Sequence, residues 1–381
     1  MIYLDANATT PPDPVVIEAM LPFLTERYGN PSASYAAGRI ARKAMENARL
    51  QVAGLLAAEA SEILFTSGAT ESINSVLLSA QRLWPDRPLL VISATEHAAT
   101  LECASRWEAQ GGRVKRVSVD RNGLLDLEAF RTALEVGQTA LVSMLWANNE
   151  TGVIQPMEEI VDLAHLAGAL IHVDAVQMLG KIPVNVQAVP VDFLSLSGHK
   201  MHAPKGVGAL FVSRRVAFEP LMVGGGQETD RRSGTENVPG IVALGKAAEL
   251  AMSVDLGVLD LRQLFEERLL AELPDIHIHG LEAPRLPNTS SIYFPGVDSA
   301  GLLIRLDKKG IACSGGSACH TASLHPSHVL EAMGYDAAHA GSTLRFSLSR
   351  LTTRLEIENA TQAVIAAVHY LREQQDVGVV G

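Results

Sequence analysis

The chain has 381 residues, 47% of them hydrophobic and 19% charged, and a formal net charge of −11. That length can bury one large core and a smaller one, and the composition excludes a disordered or low-complexity chain. The acidic balance argues against a nucleic-acid binder, and no apolar run is long enough to suggest a membrane span.

In chain order, the segment Met1-Ile-Tyr-Leu-Asp5 carries no basic leader, so the expected compartment is the cytoplasm. Hydrophobic periodicity predicts helices over 14–24 and 38–56, then a short strand over 62–66. Ser67-Gly-Ala-Thr-Glu71 opens the next helix. A strand at 89–93, a helix at 100–110 and a strand at 113–119 follow. Further strands are expected at 140–145, 170–174, 193–196 and 207–212, with a helix at 157–167. This βα alternation predicts an α/β fold with a mostly parallel, doubly wound sheet flanked by helices. From about Ala251 the character changes. Helices at 260–272 and 299–309 and a strand at 290–294 predict a smaller α+β domain. The expected division is 15–255 for the large domain, and 1–14 with 256–381 for the small one.

Two residues stand out against this frame. Lys200 follows a short apolar strand in Ser197-Gly-His-Lys200. A lone lysine there is ordinarily a solvated surface side chain. Upstream, Asp174 lies inside the apolar run Ala169-Leu-Ile-His-Val-Asp-Ala-Val-Gln177, where a carboxylate is costly unless a cation meets it, although a lone Asp in a strand is often a strand-end cap. In this order the pair suggests pyridoxal phosphate, with a lysine for the aldehyde and an aspartate for the ring nitrogen.

Other segments fit the same cofactor. Ala69 and Thr70 lie at a helix N-terminus, which attracts a phosphate, although an ordinary cap reads the same way. Ser197, His199 and Thr235 could complete the cup. His97 follows a strand end, where it could stack on the ring and move protons. Asn149 could bond the ring oxygen or a substrate carboxylate, although Asn148-Asn149 is also a plain turn signal. Arg345 lies in the alternating strand Thr343-Leu-Arg-Phe-Ser347 and could clamp an α-carboxylate, or else sit exposed on an edge. Three cysteines suggest neither a disulfide framework nor a zinc site, and no metal is expected. Cys103 and Cys313 read as packing. Cys319 lies in the Gly- and Ser-rich Ser314-Gly-Gly-Ser-Ala-Cys-His320, which favours a nucleophile.

Taken together, Tyr3-Leu-Asp-Ala-Asn-Ala-Thr-Thr10, Ser67-Gly-Ala-Thr-Glu71, Thr95-Glu-His97, Asn148-Asn-Glu150 and His172-Val-Asp-Ala-Val-Gln177 form an ordered set. It continues with Ser197-Gly-His-Lys200, Arg232-Ser-Gly-Thr-Glu-Asn237, Gly316-Ser-Ala-Cys319 and Leu344-Arg-Phe-Ser347. The chain resembles the class I cysteine desulfurases, of the NifS and IscS kind, over essentially its full length. The resemblance implies a fold type I pyridoxal-phosphate enzyme, a homodimer with sites at the subunit interface, and L-cysteine as substrate. By it, Lys200 would carry the cofactor, Asp174 would hold the pyridine nitrogen, and Gln177 and Asn149 would flank the ring oxygen. His97 would stack on the ring. Thr70, Ser197 and His199 would bind phosphate, joined by Thr235 from the partner subunit. Arg345 would hold the substrate carboxylate. Cys319 would take the sulfur as a persulfide and pass it to an acceptor such as an iron–sulfur scaffold protein. Selenocysteine lyase and cysteine-sulfinate desulfinase share the fold, and a non-catalytic sulfur-carrier subunit is the reading from another class. Tyr35 stands where many relatives carry His, and Met201-His-Ala203 replaces a more usual aromatic-Gly pair. The tail after Tyr370 is shorter than the one some relatives use to dock an iron–sulfur scaffold, which leaves docking by that route open.

Overall fold

The structure is a computed structural model that describes residues 1–253, 257–315 and 326–378, with side chains through 374. The first part of the chain runs β1 (Ile2–Tyr3), α1 (Pro14–Thr25), α2 (Ala36–Leu56), β2 (Ile63–Thr66), α3 (Ala69–Leu83) and β3 (Leu89–Ser93). It continues with α4 (Ala98–Ala109), β4 (Arg113–Val117), α5 (Leu127–Ala133), β5 (Thr139–Leu145) and α6 (Met157–Leu166). Then come β6 (Leu170–Asp174), β7 (Phe193–Ser197), β8 (Gly208–Val212) and α7 (Val238–Ala251). The rest comprises α8 (Gly257–Glu272), β9 (His277–Ile278), β10 (Thr289–Tyr293), α9 (Ser299–Lys308), β11 (Ile311–Ala312) and β12 (Ser314–Gly315). It ends with α10 (His328–Ala332), α11 (Ala337–Gly341), β13 (Thr343–Ser347) and α12 (Arg354–Gly378).

Seven strands pair in the order β2-β8-β7-β6-β5-β3-β4. All contacts are parallel except those of β8, which runs antiparallel to both β2 and β7. The strands β3, β5, β7 and β8 are buried throughout, as a sheet covered on both faces requires. Parallel neighbours place their carboxyl ends on one edge, where ligands bind in open α/β sheets. Thr66, His97, Asn149, Asp174 and Ser197 all lie at or just beyond those ends. The reversal of β8 needs only the short link 198–207, and Lys200 sits in that link.

Helix α7 escaped the periodicity reading because it opens with Val-Pro-Gly, a turn-like triplet. Its proline is in the first turn, where no amide is needed, and the Asn237 side chain accepts from Gly240 N. Gly245 lets the helix lie directly on α2, since a Cβ there would come 2.5 Å from Ala48 Cα.

A second sheet, β12-β13-β10-β9, is antiparallel, and β1 pairs in parallel with β11. Its apolar core gathers Phe265, Leu269, Phe294, Leu302, Phe346 and Val364 with Leu4 from the N-terminus. This core is separate from those on the two faces of the large sheet. The N-terminal strand thus joins the later part of the chain, and residues 5–10 cross back to the large sheet.

Candidate active site

A cavity with about 1260 Å³ of free space, its open mouth included, lies over the carboxyl edge of the large sheet. It collects Ala69, Thr70, His97, Asn149, Asp174, Gln177, Ser197, His199, Lys200 and Arg345. The ten residues thus line one cavity. Thr235 does not line the cavity and is exposed in this chain. Cys319 lies outside the described residues.

At one end, β2 turns into α3 through Gly68, the N-cap, whose φ is +154°. No side chain caps this helix, so its first amides face the cavity. A Cβ on Gly68 would point toward Ser197 Oγ at 3.7 Å, inside the cup, and one on Gly208 would strike Gly68 Cα at 2.7 Å. Glu71, also in the first turn, is held ionised below its usual range by Arg232 and Ser67 despite burial, with Arg232 Nε 2.9 Å from Oε1. Glu228 secures the strand beneath. It takes two bonds from Arg49, at 2.7 and 2.8 Å, and one from Phe65 N at 2.9 Å.

In the middle, Asp174 is 5% exposed and Oδ1 accepts from Val176 N at 2.9 Å. Burial raises its pKa, while His97, the Val176 amide and Lys200 pull the other way. The carboxylate is thus short of positive charge, which a protonated pyridine would supply. His97 caps α4, its Nδ1 accepting from Ala99 N at 3.1 Å, so the neutral ring carries its hydrogen on Nε2. Lys200 Nζ donates to the carbonyls of Asn7 and Ala8, the latter at 2.9 Å. His199 is held neutral, at about 4, by burial and by Lys200 and Lys205; its Nδ1 lies 3.1 Å from Thr9 Oγ1.

At the other end, Arg345 sits on β13, an interior strand, and is 1% exposed rather than lying on an edge. It donates to Asn149 O at 2.9 Å and to Asp5 Oδ1 at 2.8 Å. Its Nε is buried without a partner among the described residues. An incoming carboxylate can meet that demand. Asn148 is the turn residue of its pair, its Oδ1 accepting from the amides of Glu150 and Thr151.

An anion cup, a buried carboxylate, a lysine between them and a buried guanidinium fit pyridoxal phosphate with an amino acid. The thiols behave as expected of packing residues. Burial pushes Cys103 to about 11 and Cys313 to about 12, so neither supplies a thiolate at neutral pH.

Sequence reasoning missed the supports. Asn7 is the hub: its carbonyl accepts from Lys200 and from Gln177 Nε2, and its side chain bonds Asn149 O, Thr289 Oγ1 and Lys181. Glu96 is buried, its Oε1 accepting from Leu145 N at 2.9 Å; burial, then Asp174, push its pKa well up. Neither Asn7 nor Glu96 sits in a periodic pattern that could reveal it.

Comparison with known proteins agrees with this geometry. A protein named cysteine desulfurase from Trichormus azollae is 46% identical over 98% of this chain and 94% of its own length. Another of that name, from Cereibacter sphaeroides, is 47% identical over 97% and 96%. Among solved structures, a NifS-like protein superposes with a TM-score of 0.90 at 38% identity, covering 97% of this chain and 99% of its own. A structure described as SspA in complex with cysteine gives 0.82 at 34% identity, covering 91% and 99%. The aminotransferase class-V pattern matches residues 2–360, and the chain belongs to that family.

Proposed function

We propose that this chain is a pyridoxal-phosphate-dependent cysteine desulfurase, converting L-cysteine to L-alanine and transferring the sulfur to an acceptor. The carrying observation is that one cavity joins Lys200, Asp174, the uncapped α3 N-terminus and the half-satisfied Arg345. Relatives of that name at 46–48% identity over nearly the whole chain support it.

When bound, the cofactor supplies the electron sink for charge developing at the substrate Cα. The chain's own residues do the rest. The α3 amides, Thr70, Ser197 and His199 hold the phosphate. Asp174 keeps the ring nitrogen protonated, and Gln177 and Asn149 flank the ring oxygen. Arg345 binds the substrate carboxylate through its fork. Lys200 would hold the cofactor and, with its nitrogen free, would take the Cα proton. His97 stacks on the ring and moves a proton at Nε2. The thiolate of Cys319 attacks the substrate sulfur; the Cβ–S bond breaks with its electron pair left on the substrate, the sulfur stays on Cys319 as a persulfide, and Cβ and then Cα gain a proton to give alanine. A thiol of the acceptor then removes the sulfur.

We read the enzyme as a homodimer in which Thr235 completes the partner's phosphate cup. Its exposure in the single chain and the exposed Leu21, Leu24, Tyr28 and Ile40 of the α1–α2 region support this. The acceptor is a protein thiol, for which an iron–sulfur scaffold is one class. A cytoplasmic location is supported by the free thiols Cys103 and Cys313, which a reducing compartment preserves. A division into 15–255 and 1–14 with 256–381 is supported by the separate apolar cores.

The test is alanine and sulfide formation from L-cysteine with a reductant, wild type against Cys319→Ala, with cofactor content measured in both. Turnover lost in the variant with the cofactor retained supports the reading. Equal turnover sinks the persulfide role and points to a lyase. No turnover in either sinks the substrate assignment.

A further inference from the structure

The link that carries Lys200 is clasped by the N-terminal crossing. Thr10 N and Thr10 Oγ1 both donate to His199 O, at 2.8 and 3.0 Å. The same hydroxyl oxygen accepts from His202 N at 2.8 Å. Thr10 therefore spans Lys200, gripping the backbone one residue before it and two after. Asp13 N donates to His202 O at 2.9 Å, and Lys200 Nζ itself donates to the carbonyls of Asn7 and Ala8. The backbone and the side-chain nitrogen of one lysine are thus both held by residues 7–13.

His202 is the member of this clasp that the turn itself does not require. Its φ is +65°, the left-handed region that glycine enters freely and a larger side chain only at a cost. Met201 N and Ala203 N both donate to Gly198 O, at 2.9 and 3.0 Å, so the turn closes without the ring. What the ring adds is a tie. It is 6% exposed, and its Nδ1 lies 2.9 Å from Pro11 O. A carbonyl oxygen has no hydrogen to give, so Nδ1 donates. Burial, the largest influence on this residue, lowers its pKa and favours the neutral ring with its hydrogen on Nδ1. A side chain kept in a costly backbone conformation beside a site points to a task there.

We propose that His202 is a positioning residue for Lys200. Its bond to Pro11 fastens residues 10–13 onto the link, and the fastened link holds the Lys200 nitrogen where it takes the Cα proton. The inference rests on the reading of Lys200 as the lysine that holds the cofactor and moves that proton. His202 does not line the site cavity, so it acts through the backbone of the link and not on the substrate. Proton transfer is steep in distance, and a displacement of about 1 Å can cost a base up to about 100-fold in rate.

The experiment compares wild type with His202→Gly, which suits the backbone and removes the bond, and His202→Asn, which tolerates the same backbone and offers an amide donor in its place. Two quantities are read. One is amide hydrogen exchange by mass spectrometry over residues 8–13 and 198–203. The other is exchange of the L-alanine Cα proton in deuterated water, per bound cofactor, which follows the Lys200 proton transfer without needing Cys319. His202→Gly should exchange both segments faster and slow the Cα exchange about 10-fold or more, with KM for L-cysteine near the wild-type value. His202→Asn should recover most of both. Wild-type amide exchange in His202→Gly overturns the proposal, because the bond then fastens nothing. Faster amide exchange with wild-type Cα exchange overturns it too, because the tie is then structural only. An asparagine variant as impaired as the glycine variant also overturns it. Where His202→Gly does not fold, Thr10→Val removes the hydroxyl that spans Lys200 and is read in the same way, a wild-type Cα exchange again overturning the proposal. Wild-type protein that holds no cofactor, or that exchanges no Cα proton and turns over no L-cysteine, refutes the functional reading itself.

Discussion

His172 offers a measurement in which the fold beneath the site reports its own electrostatics. It sits on β6 two residues before Asp174, fully buried, with Nδ1 2.8 Å from Ser143 Oγ and Nε2 2.7 Å from Ser195 Oγ. Two hydroxyls can each give or take one bond, so a neutral ring is fully satisfied while a charged one finds no anion. Burial accordingly drops its pKa from 6.5 to about 3. A base depressed in the folded state binds fewer protons there than in the unfolded chain. Stability from this residue is therefore whole above the unfolded value and falls as pH drops from 6.5 toward 3. Acidifying from about pH 7.5 to about pH 5 carries the unfolded ring about 1.5 units below its ordinary value, a loss of about 2 kcal/mol at ~1.4 kcal/mol per unit. The perturbation is His172→Gln, which removes the titration and adds a packing offset that does not vary with pH. Other shifted groups, among them His279 at about 3 and Glu150 at about 7, are common to both proteins and cancel in the difference. Urea unfolding at fixed protein concentration across that range gives the assay. The stability gap between wild type and variant should move by about 2 kcal/mol in the variant's favour on acidification. Parallel curves would mean that His172 titrates alike in both states, and that the serine pair does not exclude its proton.

Two further outcomes follow from the cavity walls. Arg345→Lys keeps the charge but loses the fork that reaches Asn149 O, Asp5 and the empty Nε position; KM for L-cysteine should rise roughly 10- to 100-fold, the loss of charge-assisted bonds worth about 1.5–3 kcal/mol, and steady-state kinetics showing only a kcat loss would contradict the carboxylate role. Gly68→Ala puts a methyl into the cup beside Ser197 on a backbone with φ of +154°; pyridoxal phosphate should bind roughly 10-fold or more weakly, and unchanged affinity in equilibrium dialysis would place the phosphate elsewhere.

The strands at Leu89–Ser93 and Leu170–Asp174 are legible to the residue because the first is a continuous apolar run and the second an apolar run interrupted only by His172, each closed by a polar residue and a turn. Burial on both faces leaves such a run no other reading. Helix starts were less legible. The sequence places the start of α2 at Gly38, treating the glycine as a boundary, whereas the helix begins at Ala36 and the glycine lies within its first turn. Residues 238–251, 127–133 and 354–378 give no expectation, although each helix opens on a local cap: Asn237 accepts from Gly240 N, Asp126 from Ala129 N, and Thr353 and Glu356 bond each other's backbone amides.

The same division runs through the site. Most residues proposed to touch the cofactor stand at or just beyond strand ends, and strand ends are what hydrophobic periodicity locates. Residues that hold them in place come from segments with no period. Asn7 acts through its backbone carbonyl as much as its side chain, and a carbonyl has no sequence signature. Asp5 matters because β1 and the residues after it cross from the second core to the first, a topological fact set by the pairing of Ile2 with Ile311 and the bridge of Asp5 to Ser347. Arg345 shows the consequence. Its strand was read from alternation, yet alternation alone could not tell an exposed edge from the interior of a four-stranded sheet. The partner that fixes its orientation lies 340 residues away in the chain. The chemistry of this cavity is thus written in the strands, and its preorganisation depends on the N-terminal crossing that ties Lys200, Gln177, Lys181 and Arg345 to residues 5–8.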